Sequence, residues 1–195
     1  MKKIAITGGI GTGKSAVCQL LAKHGACILN SDDIIHELLK NDLQCIQEVV
    51  TLLGPGVLNG KGINRKKVAE IVFQDENKLR SLETLLHPRL LSKIEEAYER
   101  KKGGKGLFVV ELPLVQEIGK EKEFDLIVAV RCDSQTAKKR FISQGFSEES
   151  YENRMRRQWD CEKKCRHADV VIRNDGTEEE LENQVLKIIK EINPQ

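Results

Sequence analysis

Five short apolar runs alternate with longer segments whose apolar residues recur every three to four positions. The runs are Ile4–Thr7, Cys27–Asn30, Leu107–Glu111, Asp125–Val130 and Val170–Ile172. Each is short and apolar nearly throughout, the pattern of a strand buried on both faces. Between them, helices are predicted over Lys14–Lys23, from Asp32 and Asp33 through the periodic IIHELL, over 42–53 and over 65–73. Further helices are predicted over 75–102, with a break or bend at His87-Pro88, over 134–143, over 147–158 and over Glu178–Ile192. Gly25, Gly54-Pro55-Gly56, the NGKG at 59–62 and the GGKG at 103–106 punctuate them. Asn64 is placed to cap one helix, and Thr177 with Glu180 forms a capping box for the last. Apolar strands separated by helices imply an α/β fold with a parallel sheet covered on both faces. No internal repeat or long linker interrupts the pattern.

Composition narrows the class without naming a function. The 195 residues are 39% hydrophobic and 32% charged, which excludes collagen-like, low-complexity and largely disordered chains. The length suits one globular domain. The most apolar stretch, around Leu107–Val115, is broken by Glu111 and Pro113 and falls short of the roughly 18 residues a membrane span needs. The start, Met-Lys-Lys and a short apolar stretch, does not read as a signal peptide, so a cytoplasmic location and no membrane partner are expected. A net charge of +2 and 4% aromatic residues argue against a nucleic-acid partner. The six cysteines, at 18, 27, 45, 132, 161 and 165, form no framework and are expected as reduced thiols. Cys161 and Cys165 near His167 are not a CxxC pair, and a zinc site is not expected.

Residues 8–15, GGIGTGKS, change the picture. They fit the phosphate-loop pattern G-x-x-x-x-G-K-[ST], with Gly8, Gly13, Lys14 and Ser15 at its fixed positions. Glycines let backbone amides turn inward around an anion, and the following helix adds its positive end. Gly8, Gly9, Ile10, Gly11, Thr12, Gly13, Lys14, Ser15 and Ala16 are therefore the candidate contacts to ATP. Lys14 can reach the β- and γ-phosphates, and Ser15 can offer an oxygen to Mg²⁺. The motif sits between a predicted strand and a predicted helix, the context it requires. No guanine-reading N-K-x-D motif is present, and the chain is short for a large ATPase machine. A small-molecule kinase remains, and it needs a base near the γ-phosphate.

The second apolar run leads into NSDDIIHELL at 30–39. Carboxyl ends of strands face the ligand crevice in such sheets, so an Asp there can accept the proton of an acceptor hydroxyl. The alternative is that Asp32 or Asp33 caps the helix.

Several blocks now carry a resemblance along nearly the whole chain. They are TGGIGTGKS at 7–15, NSDDIIHELL at 30–39, GKGINRKKVAEIVF at 60–73 and LETLLHPRL at 82–90. VVELPLVQE at 109–117, Gln158 through Lys164, and ADVVIRNDG at 168–176 follow in order. The chain resembles the dephospho-coenzyme A kinase family. The resemblance implies a P-loop kinase fold with a five-stranded parallel sheet ordered 2-3-1-4-5. It implies a core of about 1–31 and 104–195, a helical acceptor-binding region of about 32–103 and a lid of about 141–166. It further implies transfer of the γ-phosphoryl of ATP, with Mg²⁺, to the 3′-hydroxyl of dephospho-CoA, the last step of coenzyme A synthesis. The partner is then a small-molecule substrate, and the chain a monomer or weak homo-oligomer. The alternatives are a kinase of the same fold acting on a nucleotide or another small hydroxyl compound, and a non-catalytic ATP-binding protein.

Residue by residue, the resemblance places the family's catalytic Asp on Asp32, beside Asn30 and Ser31 where the family has Asp and Ala. His36 is implied in substrate binding, with a surface imidazole as the alternative. Arg65 is implied in pairing a substrate phosphate, with a surface charge as the alternative. His87 is implied at the acceptor, or as the residue fixing the bend before Pro88. Glu111 resembles an acid holding Mg²⁺ through water, or one that positions the phosphate loop or Lys14. Glu117 matches an acid with a structural role. Arg140 fits the first lid arginine and joins Lys14 in offsetting charge on the transferring group. The second lid arginine falls on Gln144, unless Arg154, Arg156 or Arg157 substitutes. Asn174 is implied at the adenine, or as a turn residue.

Overall fold

A computed structural model of the chain describes residues 1–156 and 158–192. In chain order the elements are β1 (Lys2–Gly8), α1 (Lys14–Lys23), β2 (Cys27–Asn30), α2 (Ser31–Asn41) and α3 (Leu43–Leu53). Then come β3 (Leu58–Asn59), β4 (Gly62–Ile63), α4 (Arg65–Val72), α5 (Glu76–Glu99) and β5 (Leu107–Glu111). The last are β6 (Leu126–Arg131), α6 (Ser134–Ser143), α7 (Glu148–Met155), α8 (Cys161–Arg166), β7 (Val170–Arg173) and α9 (Glu178–Ile192). The chain divides into two compact units, Met1–Leu29 with Arg100–Gln195, and Asn30–Glu99.

The first unit is built on a five-stranded sheet ordered β2-β5-β1-β6-β7. Counting sheet strands alone, this is the expected 2-3-1-4-5. The pairs β1–β5, β1–β6 and β6–β7 are parallel. Central β1 is buried from Lys3 to Gly8, which explains its apolar sequence. Its Ile4 and Ile6 share a core with Val17, Leu20 and Leu21 of α1 and with Leu181, Val185, Ile188 and Ile192 of α9. The α9 residues recur at helical spacing on one face, each worth roughly 1.5–3 kcal/mol of burial. That helix starts at the expected capping box: Thr177 N–H donates to Glu180 Oε2 at 2.8 Å, and Glu180 N–H to Thr177 Oγ1 at 3.2 Å.

The second unit is helical around a core of Leu38, Leu39, Cys45, Val49, Val57, Val68, Val72, Leu82 and Leu86. Asn64 caps α4 as expected, its side chain accepting from Lys66 and Lys67 N–H. The NGKG turn proves to be a hairpin, β3 against β4. Gly60 there has a φ of +62°, at the place where a two-residue hairpin turn favours glycine.

Two expectations are corrected. Of the break or bend expected at His87-Pro88, the break does not occur, since α5 runs through Pro88 as one helix. Pro88 removes one ladder bond. Burial of Leu82, Leu86, Leu90 and Ile94 on both sides of it offsets that loss. Arg89 adds to this, donating from Nη1 to the Leu85 carbonyl at 2.8 Å and from Nη2 to Glu48 at 2.6 Å. The predicted helix 147–158 ends at Met155, and a separate α8 follows. Ser147 caps α7, and Asp160 caps α8 by accepting from Lys163 N–H at 2.7 Å. No described helix is long and apolar enough to cross a membrane. All six cysteines are unpaired.

Candidate active site

In the first unit, β1 hands the chain to the phosphate loop and α1 receives it. Gly11 and Gly13 have φ of +71° and +89°, conformations that side-chain-bearing residues resist. A β-carbon on Gly11 would strike the Ala137 carbonyl, and one on Gly13 the Asn174 amide. Buried Thr12 closes the loop from within, its hydroxyl donating to the Gly9 carbonyl at 2.9 Å. Lys14 folds over the loop, with Nζ donating to the Gly9 carbonyl at 2.8 Å and the Gly8 carbonyl at 3.3 Å.

The β1–β5 register sets Glu111 beside Ile6, two residues before Gly8. The buried Glu111 carboxylate accepts from the Ser15 hydroxyl, at 3.1 Å to Oε1 and 3.3 Å to Oε2. A hydroxyl and a carboxylate, both hard oxygen donors, thus meet beside the loop, the donor chemistry that suits Mg²⁺. Among the described residues no three His, Cys, Asp or Glu side chains gather to hold a metal by themselves. Mg²⁺ characteristically takes its remaining ligands from water and phosphate. Burial, and then the Glu111 carboxylate, push the Cys18 thiol up to about 12.

Asn174 follows β7, and its buried side chain donates to the Thr12 carbonyl at 2.8 Å. Arg140 Nη1 donates to the Asn174 backbone carbonyl at 3.1 Å. Arg140, Asn174 and the loop form one hydrogen-bonded chain, a loop-anchoring role that neither sequence reading of Asn174 contained. These residues wall a cleft of about 570 Å³ between α1 and the start of α9, lined also by Gly13, Ala16, Gln19 and Leu181.

Beyond α6 the chain returns to the loop. Gln144, exposed, is the C-cap of α6. Phe141 and Phe146 stack at 4.6 Å, and Tyr151 lies 5.6 Å from Phe141. Ile10 of the phosphate loop packs with Phe141 and Tyr151. The Arg154 guanidinium lies over both Phe rings, at 5.4 and 5.1 Å. Arg156 is exposed after α7, and Arg157 lies outside the described residues. Sequence reasoning missed Lys164. It is wholly buried, with its ammonium against the Pro113 carbonyl and 2.7 Å from Glu117 Oε1. Glu117 Oε1 also accepts from Trp159 N–H at 3.0 Å. Thr7, one residue before the loop, donates to the same Pro113 carbonyl at 2.9 Å.

In the second unit, Asn30 caps α2, its Oδ1 accepting from Asp32 N–H at 2.8 Å. The capping role therefore belongs to Asn30, and neither Asp32 nor Asp33 serves as the cap. Asn30 keeps the acceptor oxygen that an Asp would use there. Asp32 is exposed, two residues past β2 and one turn before His36. His36 and Arg65 are brought together, Nδ1 to Nη1, at 3.4 Å. His87 sits half-buried on α5, where burial lowers its pKa and Glu83 opposes the shift.

The family model described as dephospho-CoA kinase matches residues 2–180. The chain belongs to the dephospho-CoA kinase family. A dephospho-CoA kinase of Aquifex aeolicus is 40% identical over 193 residues, covering 98% of each chain. The structure of the dephospho-CoA kinase from Campylobacter jejuni superposes with a TM-score of 0.75 at 26% identity, over 98% of this chain and 97% of that one. A crystal structure from Thermus thermophilus superposes with a TM-score of 0.84 at 30% identity, over 98% of both chains. As a dephospho-CoA kinase family member the chain has the P-loop kinase fold and is a phosphotransferase, with ATP as the donor that a kinase implies.

Proposed function

We propose that the chain moves the γ-phosphoryl group of ATP to the 3′-hydroxyl of dephospho-CoA. The bond from the γ-phosphorus to its bridging oxygen breaks, a bond to the acceptor oxygen forms, and ADP and CoA leave. The observation that carries this reading is the Ser15–Glu111 pair beside a complete phosphate loop, in a chain matching the family over 2–180.

Residues 8–16 hold the phosphates, and Lys14 leaves the Gly8 and Gly9 carbonyls for the β- and γ-oxygens. The adenosine takes the cleft beside Asn174 and Arg140. Ser15 and Glu111 would hold Mg²⁺, which would supply neutralisation of phosphate charge. Asp32 accepts the proton of the acceptor hydroxyl. His36 and Arg65, already paired, bind the acceptor, Arg65 through its phosphate. His87 joins them in the acceptor-binding region, about 32–103. The core is about 1–31 and 104–195, and a lid of about 141–166 closes over the site and excludes water. The enzyme works in the cytoplasm as a monomer or weak homo-oligomer.

The test is a coupled assay of ADP release, comparing dephospho-CoA with nucleoside monophosphates. Release is expected to rise with dephospho-CoA and to stay at background with the nucleotides. No stimulation by dephospho-CoA overturns the assignment.

A further inference from the structure

Within the first unit, β1 and β5 part just before the phosphate loop. Ile6 lies opposite Glu111, and the Leu112 N–H donates to the Ile6 carbonyl at 3.0 Å. The next residue, Pro113, has no N–H with which to continue the ladder. Its carbonyl takes two side-chain donors instead. Thr7, the residue before Gly8, donates its hydroxyl at 2.9 Å, and Lys164 of α8 brings its ammonium. Carboxyl ends of strands face the ligand crevice in such a sheet, so this junction borders the site.

Lys164 is wholly buried, and its charge partner is Glu117, with Oε1 2.7 Å away. Glu117 Oε2 is buried as well and has no hydrogen-bond partner among the described residues. Each charge therefore depends on the other. A buried ion pair adds little net stability over apolar side chains of the same size, because desolvation offsets the attraction. Its neighbours show what else it does. Gln116 Nε2 donates to the Lys164 carbonyl at 2.9 Å, and Trp159 N–H donates to Glu117 Oε1 at 3.0 Å. Segments 113–117 and 159–164 are thereby fixed to each other through main chain and side chain together. The first residue of α8 also rests on the loop, since Cys161 Cβ lies 3.6 Å from where a β-carbon on Gly9 would sit.

We propose that Lys164 is a positioning residue for phosphoryl transfer. Its ammonium, held by Glu117, fixes the Pro113 carbonyl against Thr7. It thereby fixes the spacing between the phosphate loop and the Glu111 carboxylate that accepts from Ser15. Lys164 acts through Pro113 and not on the reacting atoms. The proposal rests on the kinase reading above and on Ser15 and Glu111 as its metal ligands.

The experiment measures kcat with ATP and dephospho-CoA, the Mg²⁺ concentration giving half-maximal turnover, and the melting temperature. Lys164→Met leaves the Glu117 carboxylate buried without its partner and is expected to lower the melting temperature by about 5 °C or more. Lys164→Met with Glu117→Gln removes both charges, keeps an oxygen for the Trp159 N–H, and is expected to recover most of that loss. Its kcat is expected to stay about 10–10²-fold below wild type, the scale of a misplacement of about 1 Å, with the Mg²⁺ midpoint raised by more than about threefold. A purely structural pair would return kcat together with the melting temperature, and that result overturns the proposal. Thr7→Val removes the other donor on the Pro113 carbonyl and is expected to move kcat and the Mg²⁺ midpoint in the same direction. Thr7→Ser keeps a hydroxyl and is expected to stay near wild type. Should the variants at 164 stay unstable, Thr7→Val decides alone, and wild-type kcat and midpoint in it overturn the proposal. An unmoved midpoint in Glu111→Gln fails the metal reading itself, and kcat in the double variant then carries the test. If the wild type does not turn over dephospho-CoA, the acceptor reading fails instead. Binding of a fluorescent ATP analogue with and without Mg²⁺ then decides: a smaller gain from Mg²⁺ in the double variant supports the role, and an equal gain overturns it.

Discussion

The side-chain amide of Asn174 occupies the volume that a β-carbon on Gly13 would need. The same amide holds the Thr12 carbonyl at 2.8 Å, so one residue after β7 sets the end of the phosphate loop. Gly13 must also hold a φ of +89°. Gly13→Ala therefore meets a clash and a strained backbone together, and is expected to weaken ATP binding by more than about tenfold. Asn174→Ala in the same protein removes the clash, keeps the strain and recovers part of the loss. Titration with a fluorescent ATP analogue measures both. Wild-type affinity in Gly13→Ala would show that the cradle does not need this contact.

Asn30 caps α2, and this separates Asp32 from helix stability. Asp32→Asn is expected to keep the melting temperature and ATP affinity of the wild type while turnover falls at least about a hundredfold. Asn30→Ala is expected to cost about 1 kcal/mol of stability. Thermal unfolding and ADP release, run on both variants, check the separation. Unchanged turnover in Asp32→Asn removes that residue from the base role.

The Ser15 hydroxyl has Glu111 as its partner at 3.1 Å. Glu111→Gln leaves an amide oxygen to accept that bond, so the fold is expected to persist. The metal site loses its charge, and the Mg²⁺ concentration giving half-maximal turnover is expected to rise by more than about tenfold. A Mg²⁺ titration of the ADP-release rate measures this, and an unmoved midpoint takes Glu111 out of the metal site.

Burial first, and the Glu111 carboxylate second, push the Cys18 thiol to about 12. The thiolate is the reactive form, so native Cys18 is expected to resist iodoacetamide at pH 8 and to react once the chain is unfolded. Peptide mass spectrometry of the labelled protein reads this directly. Rapid native labelling at Cys18 would contradict its burial.

The His87 pKa is lowered below 6.5 in the folded chain, mainly by burial. Well above about 6.5 the ring is neutral in both states and contributes no pH dependence. As pH falls below that value the unfolded state takes the proton first, and stability declines until the folded ring is protonated too. His87→Gln is expected to show a shallower decline on the acid side of 6.5. His87 is only partly buried, so the difference is small. Urea unfolding at pH 7.5 and 5.5 measures it, and identical slopes of stability against pH would remove His87 from the account.

Local pattern carried much of the reading. The phosphate loop is legible because its chemistry depends on spacing within eight successive residues, 8–15. Asn64 and the Thr177–Glu180 box are legible because a cap reaches only two or three residues along the chain. The α7–α8 division was missed although Asp160 is itself a cap signal. Of the two outcomes that Pro88 allows, break or bend, the helix does not break, because propensity prices the lost ladder bond and cannot price the buried leucines around it.

By itself, then, the sequence determined the five strands of the main sheet, most of the helices between them, the phosphate loop and the family. All of these follow from short-range periodicity and from motifs contiguous in the chain. Only the tertiary structure decided that Ser15 meets Glu111 across 96 residues and that Asn174 holds Thr12 across 162. It also decided that Lys164 buries its charge against Glu117, and that Arg154 rests on rings that touch Ile10. Such contacts depend on sheet register and helix packing, which sum many weak apolar contributions over the whole core. No local pattern encodes that sum, and so the partners of a charged side chain are settled only when the fold is complete.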